Sequence, residues 1–204
     1  MEKINYHLMM LDSLKKNEDF IPSLLLHSCC GPCSSHVIML LNKYFNITIY
    51  YYNPNIEPKE EYDLRKKEQI RLINEIKCNN SITFLDCDYN NNDYQEIITG
   101  LENELEGGIR CHNCFNLRLK NTALMAKKMQ FDYFGTTLSV SPHKDSQILN
   151  KIGFDLQEKH SILFLPSDFK KEEGYKKSIE LAKQYGLYRQ DYCGCRFSKR
   201  ELVC

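Results

Sequence analysis

Neither sign of charge is in excess in this chain: Lys plus Arg and Asp plus Glu both number 27. Overall charge therefore implies no nucleic-acid partner, and any polyanion must be met by a local patch. No apolar stretch approaches the roughly 18 residues of a membrane span. The opening "MEKINYHLMMLDSLKKNEDF" lacks the continuous apolar core of a secretion signal. These absences predict a cytoplasmic protein with no membrane contact. No internal repeat or low-complexity linker breaks the 204 residues. A single domain is expected over 1–204, with 1–20 as a helical extension and 170–204 as a closing helix followed by a ligand-bearing segment.

What the chain has in quantity is cysteine, ten in all. In a reducing compartment these are not a disulfide framework. Adjacent Cys29 and Cys30, and the close pair Cys193 and Cys195, also make poor partners for each other. Metal binding or redox chemistry is the better reading.

The order of elements predicts an α/β protein. "IPSLLLHS" has the short, apolar, turn-bounded form of a buried strand. "CSSHVIMLLNKYF" follows as a helix and "NITIYYYNPN" as a second strand, rich in β-branched and aromatic residues. A polar-faced helix over "EPKEEYDLRKKEQIRLINEIK" leads to a third strand, "SITFLDCDY". The alternation then resumes through helix "CHNCFNLRLKNTALMAKKMQ", strand "FDYFGTTLS", helix "DSQILNKIGFDLQEKH", strand "SILFLP" and helix "EEGYKKSIELAKQYG", which Gly186 should cap. Strand–helix–strand repeats of this kind build an open, mostly parallel sheet flanked by helices. Residues 88–108 are the least regular stretch.

Seven cysteines fall into three groups. Cys29, Cys30 and Cys33 lie where the first strand ends, around a Gly-Pro pair that allows a tight turn. Cys111 and Cys114 form a C-x-x-C at a helix start, where helical geometry puts both sulfurs on one face. Cys193 and Cys195 form a C-x-C beyond the last helix. Helix N-termini favour the thiolate form that binds metal, and open α/β sheets bind ligands beyond the carboxyl ends of their strands. Four thiols suffice for a zinc ion or a [4Fe–4S] cluster, leaving three for a second metal with an open position. Spacing alone does not choose between zinc and iron–sulfur, and a zinc-stabilised, non-catalytic RNA-binding module is the alternative.

Several motifs are more specific than the cysteines. "LLLHSCCGPCSSHVI", "YYNPNIEPKEEYDLRKKEQ", "GLENELEGGIRCHNCFNLRLKNTA", "FDYFGTTLSVSPHKD" and "LPSDFKKEEGYKKSIELAKQYGLYRQDYCGC" resemble the cobalamin-independent epoxyqueuosine reductases, the QueH family. The likeness runs from about residue 21 to 198. It implies a fold similar to the adenine-nucleotide α-hydrolases and a reaction that removes the epoxide oxygen of epoxyqueuosine at the tRNA wobble position, with electrons from an external donor. It also implies a [4Fe–4S] cluster beside one additional iron ion. The expected division is Cys30, Cys111, Cys114 and Cys193 on the cluster, with Cys29, Cys33 and Cys195 on the single iron. The chain departs from ATP-using relatives, because "SCCGPCSS" stands where they carry a Ser-Gly-Gly-rich phosphate loop. Cysteine side chains there would fill the space that glycines leave for phosphate, so ATP use is not expected.

Around this centre, "SVSPHKDS" offers His143 and Asp145 as proton donors and Lys144 as a phosphate or substrate contact. Tyr52, Asn53 and Asn55, after the second strand, are placed to meet the modified base, as are Tyr188 and Arg189 near the C-x-C. Lys176, Lys177, Lys183, Arg189, Arg196, Lys199 and Arg200 could track tRNA phosphates, with nearby tyrosines stacking on splayed bases.

Overall fold

The computed structural model describes residues 3–15, 20–80 and 82–199. Helix α1 (Tyr6–Lys15) precedes β1 (Ser23–His27), α2 (Gly31–Leu41), β2 (Asn46–Tyr50), α3 (Lys59–Glu75) and β3 (Ile82–Leu85). Then come α4 (Asn92–Ile98), α5 (Ile109–Lys128), β4 (Tyr133–Thr136), α6 (Ser146–His160), β5 (Leu163–Phe164) and α7 (Gly174–Gln184). The five strands lie in the order β3-β2-β1-β4-β5, and every pairing is parallel. The chain winds outward from β1 to β3, crosses back, and winds outward again from β4. The crevice beyond the carboxyl end of β1 is thus the switch point where such sheets take their ligands.

Alternation in β1 splits the core between the two faces of the sheet. Leu24 and Leu26 pack with Val37, Ile38 and Leu41 of α2. Leu25 points the other way, onto Phe115, Leu119 and Ala123 of α5 and Leu149 of α6. All three leucines are fully buried, each contributing roughly 2 kcal/mol by leaving water. Helices α2 and α7 lie together, as do α5 and α6.

Two elements differ from the reading of the sequence. Helix α2 begins at Gly31, with Pro32 in its first turn, where a missing N–H and a fixed φ favour helix starts. Cys33 is therefore inside the helix. In the polar stretch 88–108, α4 forms on two buried side chains four residues apart, Tyr94 and Ile98. That is too short a period to stand out among the surrounding asparagines.

Helix α6 approaches β5 closely at Gly153, where an added Cβ would come within 2.3 Å of the Phe164 ring. Gly153→Ala is expected to lower stability by about 1–3 kcal/mol through overpacking. A denaturant midpoint equal to that of the parent protein would show that the ring yields freely.

Candidate metal centre

The turn after β1 is braced from α3. The hydroxyls of Ser28 and Ser34 both donate to Oε1 of buried Gln69, at 2.7 and 2.9 Å. Cys30, between them, is extended (φ −172°) and precedes α2. This brings Cys29, Cys30 and Cys33 together, with their Sγ atoms all within 4.8 Å of one another and the first two 3.8 Å apart. Gln190 Nε2 donates to Cys30 Sγ at 2.8 Å. Hydrogen bonds from Cys30 and Cys33, helped by the charges of Lys144 and Arg118, hold the Cys29 thiol well below its ordinary pKa. The same bond to Cys29 pushes Cys30 up to about 12 and raises Cys33.

A second group forms around the start of α5. Cys114 packs with Cys195, Tyr94 and Ile98, and Cys111 Sγ accepts from the Gly107 amide at 3.2 Å. Burial pushes Cys114 up to about 12 against the pull of Arg118, and burial also raises Cys111. Position at a helix start does not by itself ionise these thiols. Buried thiols of this kind ionise when a metal cation takes the proton's place.

Helix α3 also holds the C-x-C segment. Arg65, 1% exposed, donates to the carbonyls of Cys193 at 3.1 Å and Tyr192 at 3.3 Å and pairs with Glu61 at 2.6 Å. The Glu57 amide donates to Gly194 O at 2.8 Å, and Tyr192 Oη donates to Glu57 O at 2.7 Å. Gly194 adopts φ +124°, and a Cβ there would lie 2.9 Å from Ile56, so the turn between the two cysteines requires glycine.

Cys193 joins Cys29 and Cys33 in the wall of a cavity of about 250 Å³, together with Lys144, Arg189 and Asp191, whereas Cys111, Cys114 and Cys195 do not line it. Arg118 lies beneath it, 1% exposed. Its Nε donates to Cys114 O at 3.3 Å, and its Nη2 has no partner among the described residues. Burial works to lower the Arg118 pKa, but Cys114, Cys193 and Cys29 outweigh it and raise it. Lys144 is raised in the same way, burial being overcome by Cys193, Cys29 and Cys33. A tetrahedral ion with metal–sulfur bonds of about 2.3 Å sets two of its thiolates roughly 3.8 Å apart, which matches Cys29 and Cys30 and puts both within reach of one ion, whereas the expected division gives them to different metals. Donor type, spacing and the buried cations all fit a thiolate-held metal centre.

The other residues expected at the site divide. His143, Lys144 and Arg189 line the cavity. Asp145 caps α6, its carboxylate accepting from the Gln147 amide at 2.7 Å. Tyr52 Oη donates to Asp93 at 2.6 Å, Asn53 Nδ2 to Ser28 O at 2.8 Å, and Tyr188 Oη to Glu61 at 3.0 Å. Asn55 is buried with neither amide atom partnered among the described residues. Of the basic residues near the chain's end, Arg196 is paired with Glu57 and Arg200 lies outside the described residues.

Arg65, Arg118, Gln190 and Asp191 were not evident from sequence. A charged residue in a polar helix reads as solvated, and only the fold shows otherwise. For Arg118 one signal existed: it follows Cys114 by four residues and so shares its helix face.

Comparison with known proteins accords with this geometry. Residues 24–201 match the family model described as epoxyqueuosine reductase QueH. The chain is 43% identical over 203 residues to the epoxyqueuosine reductase QueH of Streptococcus pyogenes serotype M1, covering 98% of this chain and 80% of that protein. It is 40% identical to that of Staphylococcus epidermidis, covering 97% and 85%. Among solved structures it is similar to the U34-tRNA thiolase NcsA from Methanococcus maripaludis, determined with its [4Fe-4S] cluster, at a TM-score of 0.50 and 15% identity over 95% of this chain and 69% of that one. At that identity the likeness is one of fold. A family match across most of the chain, with closely similar relatives of the same name, establishes that this chain belongs to the epoxyqueuosine reductase QueH family.

Proposed function

We propose that this protein reduces epoxyqueuosine to queuosine in tRNA. The observation that carries the reading is the Cys29–Cys30–Cys33 trio at the sheet's switch point, in a chain whose family match spans 24–201. The reaction takes two electrons and two protons: both epoxide carbon–oxygen bonds break, a carbon–carbon double bond forms, and the oxygen leaves as water. The seven thiols Cys29, Cys30, Cys33, Cys111, Cys114, Cys193 and Cys195 are the proposed holders of a [4Fe–4S] cluster and one further iron ion, with Cys193 at the junction of the two groups. When bound, such a centre supplies electrons singly and Lewis acidity at an open iron position.

The chain's own residues do the rest. The cavity wall of Lys144 and Arg189 holds the substrate's polar groups, and Lys144 Nζ, kept charged by the nearby thiols, steadies negative charge on the departing oxygen. His143, exposed at the same wall, is the proposed proton donor. Asp145 fixes the loop that carries both by capping α6.

The test is anoxic incubation of the reduced protein with epoxyqueuosine-bearing tRNA, followed by mass analysis of the nucleosides. Appearance of a nucleoside one oxygen lighter is expected. A colourless, zinc-loaded protein that binds the tRNA without changing it would replace the reductase with a structural RNA-binding module, provided that the host cells assemble iron–sulfur clusters.

A further inference from the structure

A second cavity, of about 580 Å³, adjoins the first. Lys3, Ile4 and Asn5 form one side, Asp168, Lys170 and Lys171 the other, and the loop Pro142–Asp145 separates it from the metal centre. Pro142, His143 and Lys144 line both cavities, so a chain lying in the second passes within one loop of the first.

The charges in this groove are unequally committed. Asp145 is engaged as the α6 cap. Asp168 accepts from Ser146 Oγ at 3.1 Å and pairs with Lys170 at 3.1 Å. Lys170 also donates to the carbonyls of Ser139 and Lys144, at 3.0 and 3.1 Å, and so holds the dividing loop in place. Lys3 and Lys171 are exposed and form no ion pair with a described residue. Lys3 is held at the rim, because Gln147 bonds both backbone groups of Ile4, accepting from N at 3.3 Å and donating to O at 2.9 Å. Two ammonium groups with no ion-pair partner among the described residues thus line a trough that borders the catalytic cavity and includes the start of the 15-residue helix α6, where partial positive charge collects.

At the other end of the chain Arg189 is exposed on the wall of the first cavity, but other cations are engaged. Arg196 is tied to Glu57 and Gln95, and Lys176 is paired with Glu173. The remaining lysines of α7, Lys177 and Lys183, are interspersed with Glu180 on an exposed face.

We infer that the groove of Lys3, His143, Lys144 and Lys171 is where the RNA strand leading to the modified nucleoside lays its phosphodiester backbone. This rests on the reading of tRNA as substrate and adds the surface that receives it. A polyanion of fixed phosphate spacing suits Lys3 and Lys171, which have no ion-pair partner among the described residues, better than it suits the α7 face, where Glu180 lies between the lysines, and this groove shares the Pro142–Lys144 wall with the cavity of Cys29 and Cys33.

The experiment compares wild-type protein, a Lys3→Ala/Lys171→Ala pair and a Lys177→Ala/Lys183→Ala pair in anoxic binding titrations with epoxyqueuosine-bearing tRNA over a range of salt concentrations. The groove pair is expected to weaken binding roughly tenfold and to flatten the salt dependence by about two phosphate contacts, while the α7 pair binds as wild type. At saturating tRNA the groove pair should turn over normally, with only KM raised, and its iron content should be unchanged. All four lysines are exposed, so folding is not at risk, and Lys171→Glu should weaken binding further. Wild-type affinity and salt slope in the groove pair, or loss of binding confined to the α7 pair, overturn the inference while leaving the tRNA reading intact. A wild-type protein that binds no tRNA defeats that reading first and the groove with it.

Discussion

A Cys114→Ala protein purified without oxygen is expected to come out colourless and inactive, with its acid-labile sulfide gone. Cys114 is buried against Cys195 and lies one helical turn from Cys111, so its removal takes one thiol out of the middle of the group. The loss should concern the metal centre rather than the fold, because the removed side chain is one sulfur among an otherwise intact cluster of Tyr94, Ile98 and Leu117. Cys33→Ala makes the contrast. Its Sγ faces the open cavity, and its removal should take away one iron while leaving four sulfides and the visible absorption. Iron, zinc and sulfide analysis with circular dichroism on both variants checks this. Full iron and sulfide in Cys114→Ala would sink the assignment of that thiol to the cluster.

The second large effect is expected at Arg118, which touches no cavity wall yet sits among three of the seven sulfurs. Its guanidinium is a fixed positive charge in a buried place; among the described residues one amino group has no partner and the Nε bond goes to Cys114 O. A buried cation this near a metal–thiolate group stabilises the more negative, reduced form. Arg118→Met keeps much of the volume and removes the charge. Loss of about 1.7 kcal/mol of Coulomb energy, the value for charges about 10 Å apart at an effective dielectric near 20, should lower a one-electron midpoint potential by about 70 mV. Turnover should fall 10- to 100-fold, as for other residues that orient or tune metal ligands. Arg118→Lys should restore most of the potential but not the bond to Cys114 O, since an ammonium lacks the planar fork. A potentiometric titration with the parent midpoint in Arg118→Met would reduce the residue to a packing element.

How much of this was legible beforehand follows from what each signal depends on. The strands β1, β2 and β4 and the helices between them were evident because Leu24–Leu26, Ile47–Tyr50 and Phe134–Thr136 are short apolar runs bounded by turn-formers, a property of local sequence. The seven cysteines were evident because their pairing is written in spacings of one to three residues. At residues 52–55, Tyr52 Oη and Asn53 Nδ2 are engaged with Asp93 and Ser28, while Asn53 Oδ1 and both amide atoms of Asn55 have no partner among the described residues. Nothing local distinguishes a polar side chain that braces a turn from one that meets a substrate. The buried arginines were illegible for a related reason: Arg65 and Arg118 lie in helices full of solvated charge, and only the arrival of the C-x-C segment and the thiols, each distant in sequence, turns them inward. The lysine groove needed the juxtaposition of residues 3, 144 and 171, which no periodicity predicts.

The way α3 grips the C-x-C segment has a consequence for how the protein is made. Cys193 and Cys195 are synthesised after every strand of the sheet, and they are held in place by Arg65, Glu57 and Glu61 rather than by any ladder of backbone bonds. A ribosome that has finished β5 has already laid down the trio, the C-x-x-C and the whole sheet, leaving a half-built bowl with five donors. The last stretch then closes over it. The candidate ligand set is therefore incomplete until this last stretch has been made, and a chain truncated before Cys193 would lack two of its seven thiols.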